Sequence, residues 1–213
     1  MQRPGEITHA GELARAVLEA KHDAREVTFA AARNAIRTCA VAIRAVQRHE
    51  YDTARTRIAE AAALLADATH ATADHLDVRY AGFVHDAQKE FAEANLTLAF
   101  VAAEPIPTAA ELGVETAAYL NGMAEAASEL RRQILDCLRL GDLEPAERLF
   151  AVMDEVYGML ITIDFTEALT GGLRRTTDAL RAVLERTRGD VTNAVVASRF
   201  ERAVRSDGIG NGV

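Results

Sequence analysis

Four glutamates are the residues of this chain best placed, by type and spacing, to do chemistry. Glu90 and Glu93 are three apart, and Glu125 and Glu129 are four apart, each pair in a segment of helical periodicity. At these spacings each pair leaves its helix on one face. Two facing helices that each present two carboxylates can hold a hard divalent cation such as Mg2+ or Mn2+, which prefers oxygen ligands. An ion held there activates water and stabilises charge on a phosphoryl group. The same spacing also describes an ordinary solvated face, since glutamate pairs are common on helices. The two pairs differ in setting. Glu125 and Glu129 fall opposite the apolar stripe Leu120–Cys137, toward solvent or a cavity. Glu90 and Glu93 share a helix with Phe83, Leu96 and Phe100, which lie off its main stripe. That helix is expected to be covered on more than one side, where a carboxylate needs a cation or hydrogen-bond donors.

A second feature is basic. Arg33, Arg37, Arg44 and Arg48 fall on one helix face, and no Asp or Glu occurs between Val27 and His49 in a chain that has 32 of them. Arginine suits phosphate because its planar fork stays charged and donates paired hydrogen bonds. The alternative is that these arginines pair with carboxylates elsewhere. With no acid in the stretch, such partners belong to another helix, another subunit or a ligand.

Other chemistries are excluded by motif. The chain has no GxSxG, no phosphate-binding P-loop, no GxGxxG and no HExxH. Its histidines show no ligand spacing, and neither glutamate pair has the Glu-x-x-His pattern of a di-iron bundle. Cys39 and Cys137 lie outside any CxxC or zinc spacing and read as reduced core or boundary thiols, as in a cytoplasmic protein.

The elements that must carry these residues are helices. Apolar positions recur three and four apart through Val84, Ala87, Phe91, Ala94, Leu98 and Val101. The pattern repeats in Leu120, Met123, Ala127, Leu130, Ile134 and Cys137, and again from Leu143 to Leu160. Pro105 and Pro107 separate the first two segments. Gly141-Asp142, with Pro145 in the next first turn, separates the second from the third. Gly189-Asp190 is read as the end of the helix through Leu173, Leu180, Val183 and Leu184, and one or two long helices are expected from Thr8 to Ala71, with a break near His49–Asp52. Aromatics at 5% and the absence of Trp, beside abundant Ala and Leu, favour helix over strand. The expectation is one all-α domain over residues 1–205 and a polar, Gly-rich, disordered tail over 206–213. The opening MQRPGEITHAGELA lacks the apolar core of a signal peptide, and no uninterrupted apolar run is long enough for a membrane span. A net charge of -8 argues against bulk attraction to nucleic acid but leaves room for a local basic surface.

Four segments resemble the translin family, and within it the Trax branch in its archaeal form. They are RTCAVAIRAVQRHEYDTA (37–54), RYAGFVHDAQKEFAEA (79–94) with its Glu-x-x-Glu-Ala element, YLNGMAEAASELRR (119–132) and GGLRRTTDALRAVLERTRGDV (171–191). The third resembles a family tract of small-residue turn, acidic residue and Glu-Leu-x-Arg. The order of the four is also the family's. The resemblance implies a seven-helix antiparallel bundle that assembles as a homo-oligomer, an octamer with a hollow interior. It implies a metal-dependent endoribonuclease acting on single-stranded RNA, with Mg2+ or Mn2+ held by Glu90, Glu93, Glu125 and Glu129. RNA would be gripped by Arg33, Arg37, Arg44, Arg48 and Arg79, with Tyr80 and Phe83 the nearest stacking candidates. Where this chain has Glu125 the family usually has Asp, so the carboxylate sits about one C–C bond farther out. The alternative within the family is a translin-type protein that binds single-stranded RNA or DNA without cutting it. A scaffold oligomer with a solvated glutamate face is the third reading.

Overall fold

The computed structural model describes residues 5–209, with side chains through Arg205. The expected tail, 206–213, falls on residues whose side chains lie outside that description, and 210–213 lie outside it altogether. The described residues form α1 (Glu6–Gln47), α2 (Tyr51–Ala71), α3 (Leu76–Arg79), α4 (Gly82–Ala102), α5 (Ala109–Leu112), α6 (Thr116–Leu140), α7 (Leu143–Leu160), α8 (Glu167–Thr170) and α9 (Leu173–Ile209), with no strand among them. The architecture is an all-α bundle. Nine segments appear where the resemblance implies seven, and α3, α5 and α8 are single turns of 4 residues within connections.

The breaks fall where the residues demand them. The chain reverses between α1 and α2 at Arg48–Glu50, with His49 at φ 60. α6 ends on Gly141, whose φ of 83 suits a residue without a Cβ. Thr108 caps α5 in a reciprocal box with Glu111. One expected stop does not occur: α9 runs through Gly189-Asp190 without interruption. Thr187 and Val191 on either side are buried, and Asp190 is held by Arg131 of α6 at 2.8 Å. Tertiary contacts thus outweigh the roughly 1 kcal/mol that a glycine costs a helix interior.

α6 is the central member. It packs against α4 on one side and against α7 and α9 on the other, while α1 lies across α2 and α4. The main core gathers Leu96, Leu130, Ile134, Met153, Leu180 and Leu184, all fully buried. Much of the remaining contact is alanine, including Ala35, Ala42, Ala92, Ala94, Ala126 and Ala127. Alanine fills little space and loses no side-chain rotamer freedom on burial, so backbones can approach closely. Arg148 of α7 donates to the carbonyls of Phe100 and Val101 at 3.1 and 3.2 Å, satisfying orphan acceptors at the end of α4. Buried Asn121 ties the start of α6 to α8 and α9: it donates to Thr170 O at 2.8 Å and accepts from Thr176 Oγ1 at 2.6 Å. These contacts tie α7 to α4 and α6 to α8 and α9, while α4 and α6 pack directly on each other. No described helix is long and apolar enough to cross a membrane.

Candidate metal centre

The two glutamate-bearing helices meet at Gly122. A Cβ there would lie 2.6 Å from Lys89 O, 2.9 Å from Ala92 Cβ and 3.0 Å from Glu93 N. Only glycine admits this contact, and it sits one turn before Glu125 and directly against the turn that carries Glu90 and Glu93. Asn121 and Gly122 are interior positions of α6, not the turn that the resemblance implies. The close approach brings three of the four expected carboxylates together. One carboxylate oxygen from each of Glu90, Glu93 and Glu125 lies within 4.8 Å of the other two. The extra methylene of Glu125 therefore does not take its carboxylate out of reach.

Glu129 stands beside this trio. It accepts a 2.6 Å hydrogen bond from Gln47 Nε2 at the end of α1, and Gln133 of α6 in turn donates to Gln47 O at 3.0 Å. α1 thus orients the fourth glutamate across the bundle.

Burial and mutual repulsion dominate the electrostatics. Glu93 is 8% exposed and accepts no hydrogen bond among the described residues. Burial first, then the charges of Glu90, Glu125 and Glu129, push its pKa up to about 9, against a smaller opposing pull from Lys89. Burial also raises Glu90, partly offset by Lys89. Cys39 of α1 lies fully buried behind the cluster, its thiol pushed up to about 12 by burial and by Glu90 and Glu93. The cation at the cluster is Lys89, whose Nζ is 2.8 Å from Glu125 Oε2 and 3.4 Å from Glu90 Oε1. Burial opposes its charge, but Glu125 and Glu90 outweigh that and raise its pKa.

The donor set is all carboxylate oxygen, which suits Mg2+ or Mn2+ and not a softer metal. A carboxylate so buried, with no donor aimed at it, is the group a cation would satisfy. The residues therefore fit a hard divalent ion.

The arginines divide. Arg33, Arg37 and Arg44 are exposed on α1, and Arg48 is exposed at its C-terminal cap. Arg33 lies over the Phe29 ring and Arg37 donates to Asn34, while Arg44 has no partner among the described residues. Arg48 grips Glu50 through two 2.8 Å bonds, so its partner is neither a neighbouring helix nor a ligand but the turn at the end of its own helix. Gln47, which holds Glu129, comes about one turn after Arg44, so the stripe borders the glutamates. Arg79 is not on α1. It sits on α3, whose Asp77 is held by Lys21 of α1 at 2.7 Å. Lys21 is separated by roughly 18 Å of helix from Arg33, the first arginine of the stripe, and by roughly 35 Å from Arg44, at 1.5 Å per residue. Of the stacking candidates, Tyr80 is exposed, but Phe83 is edge-packed on Phe29 at 5.3 Å with Arg25 above both rings.

Three site residues stand outside the sequence expectations: Gly122, Lys89 and Gln47. A lone glycine inside a helical pattern, three residues before a candidate ligand, is a readable signal for close approach. So is a lysine, one of two in the chain, directly before Glu90. Gln47 gives no signal, since its partner is 82 residues away.

No protein-family model matches the chain. A protein of Methanocaldococcus jannaschii, the uncharacterized protein MJ0175, is 31% identical over 117 residues, or 54% of this chain and 52% of that protein. The match thus spans about half the length of that relative. Among solved structures, AfC3PO is similar both alone and as a complex with duplex RNA. Each has a TM-score of 0.80 at 30% identity and covers 87% of this chain, with 97% and 96% of the respective AfC3PO chains covered. Apo-NeC3PO shares the fold at a TM-score of 0.70 and 20% identity, over 91% of this chain and 99% of its own. AfC3PO is an archaeal C3PO of the translin/Trax type, and this chain belongs to that translin/Trax-like family.

Proposed function

We propose that this protein is a Mg2+- or Mn2+-dependent endoribonuclease. The observation that carries the reading is Glu93, a buried carboxylate without a hydrogen-bond donor, set among Glu90, Glu125 and Glu129 where α4 and α6 meet at Gly122. Glu90, Glu93 and Glu125 would hold the ion. A bound divalent ion supplies charge at the phosphoryl oxygens and makes water more acidic. Glu129 is fixed by Gln47 at the edge of the cluster, within reach of solvent, where it can take a proton from attacking water. Arg33, Arg37, Arg44 and Arg48 would hold the strand by its phosphates, which gives salt-sensitive binding with little base preference. Arg79 would make a separate contact farther along α1.

The resemblance points to single-stranded RNA, and AfC3PO is known with duplex RNA. Phosphate-led binding accommodates both. A homo-oligomer, an octamer by resemblance, would cover the apolar side chains that this chain exposes at Leu13, Val17 and Leu18 of α1 and at Val196, Phe200 and Val204 of α9. The non-cutting alternative is favoured by one observation: Lys89 already supplies a cation to Glu125 and Glu90.

The test is cleavage of end-labelled unstructured RNA and of a matching duplex, with Mg2+, with Mn2+ and with chelator. Internal cuts are expected that vanish with chelator and in Glu125→Ala and Glu129→Ala. Intact RNA in every lane, beside a salt-sensitive gel shift, selects the non-cutting binder.

The arginine stripe makes its own prediction. Arg44, unpartnered among the described residues, is free for phosphate, whereas Arg48 must first leave Glu50. Arg44→Ala is expected to lower the slope of log affinity against log salt by about 0.7 to 0.9, the loss of one phosphate contact. Arg48→Ala should have the smaller effect. Fluorescence anisotropy over a salt series reads both, and unchanged slopes would remove the stripe from the binding surface.

A further inference from the structure

Lys89 does something the metal reading alone does not require. Its ammonium lies 2.9 Å from Glu125 Oε1 and 2.8 Å from Oε2, and 3.4 Å from Glu90 Oε1. It has three protons, and two of the three clustered carboxylates take them. The third and most buried, Glu93, accepts no hydrogen bond from Lys89 and feels only the smaller pull of its charge. An ammonium and a divalent ion compete at these oxygens: a carboxylate has lone pairs enough for both, but two cations on shared ligands repel at contact distance. The lysine stem is flexible, and its side chain keeps 22% exposure, which leaves it a path toward solvent.

We propose that Lys89 is an exchangeable counter-ion of the Glu90–Glu93–Glu125 cluster, which withdraws from Glu125 and Glu90 when a divalent cation binds and so sets the ion concentration at which the site fills. This rests on the metal-centre reading above. In the ion-free protein Lys89 keeps Glu90 and Glu125 from repelling each other. It also makes the cluster selective: a monovalent ion offers no more charge than the ammonium that it must replace, while a divalent ion does. Gly122 keeps the backbone of Lys89 pinned against α6 during the exchange, so only the side chain has to move.

Two readouts test this, and neither depends on RNA. The first is Mn2+ binding by calorimetry. Lys89→Gln is expected to bind Mn2+ at least about tenfold tighter than wild type, the sense and size of a typical coupling between competing ligands. Lys89→Arg, which keeps the charge, should stay weak. The second uses the fact that Lys21 and Lys89 are the only lysines. Adding Mn2+ to wild type should raise acylation of Lys89, read by mass spectrometry, while Lys21 serves as the unchanged internal standard. This arm stands even if the Gln variant folds poorly. Equal Mn2+ affinity in wild type and Lys89→Gln, with flat Lys89 labelling, would make Lys89 a fixed ion pair and overturn the exchange while leaving the metal centre standing. Absence of Mn2+ binding in both proteins would overturn the metal centre and the exchange together.

Discussion

Glu93→Gln is expected to abolish RNA cleavage, lowering it by about a hundredfold or more, and to leave the protein at least as stable as wild type. The two effects have one cause. Glu93 is 8% exposed, faces three other carboxylates and has no hydrogen-bond donor among the described residues. Its charge is costly to the folded state unless a cation is bound. Glutamine keeps the shape and removes the charge, so folding gains while the ligand is lost. The pH dependence comes from the same residue. With its pKa raised from an ordinary 4.5 to about 9, Glu93 holds a proton more tightly folded than unfolded. The stability it contributes is fully present below the unfolded value and is lost as pH rises toward the folded one. Chelated wild type should therefore lose stability across that window, at no more than ~1.4 kcal/mol per pH unit. Glu93→Gln should flatten the decline, and saturating Mn2+ should offset it in wild type only. Thermal melts over a pH series, with chelator and with Mn2+, check all three. A glutamine variant less stable than wild type at pH 8 in chelator would show that the Glu93 carboxylate is satisfied without a cation.

Gly122→Ala carries the second large effect. In an ordinary helix interior this change stabilises by about 1 kcal/mol. Here the new Cβ meets Lys89 O at 2.6 Å and Glu93 N at 3.0 Å, backbone atoms that move only if α4 and α6 part. Overpacking of this kind costs about 1–3 kcal/mol, so the expected net is destabilising or near neutral. Function should suffer more than stability. A shift of about 1 Å between the helices separates Glu125 from Glu90 and Glu93, and displacement on that scale can cost about a hundredfold in rate. Gly122→Val should be worse on both counts. Mn2+ affinity and cleavage rate, set beside the melting temperature, separate the two effects. An alanine variant that gains stability and keeps full Mn2+ affinity would show that the helices have room to spare at this contact.

Much of the fold is legible in the chain, for reasons particular residues make plain. The stripe from Val84 to Val101 is readable because its apolar residues recur with the helix period, and all six of its members are buried, though from Phe91 to Val101 every residue but Asn95 is buried as well. Pro105, Pro107 and Gly141 mark real breaks because they act on the backbone locally. Gly189 misleads for the complementary reason. Its local preference is overridden by Val191 in the core and by the Arg131–Asp190 pair, both set by distant parts of the chain. The candidate site divides the same way. Helical spacing puts Glu90 with Glu93 and Glu125 with Glu129, and the resemblance joins the pairs, but only the fold shows that Glu125 joins the α4 pair while Glu129 turns to Gln47. The Lys89 bridge and the Gly122 contact both depend on how α4 lies against α6, which no local pattern encodes.

Whether Glu90, Glu93 and Glu125 hold a divalent ion is tested most directly by a crystal soaked in Mn2+ and measured for anomalous scattering. An anomalous peak is expected, bonded to carboxylate oxygens of these three residues, with the Lys89 ammonium moved off Glu125. An ion-free cluster at saturating Mn2+, with Lys89 still on Glu125 and Glu90, would contradict the metal centre.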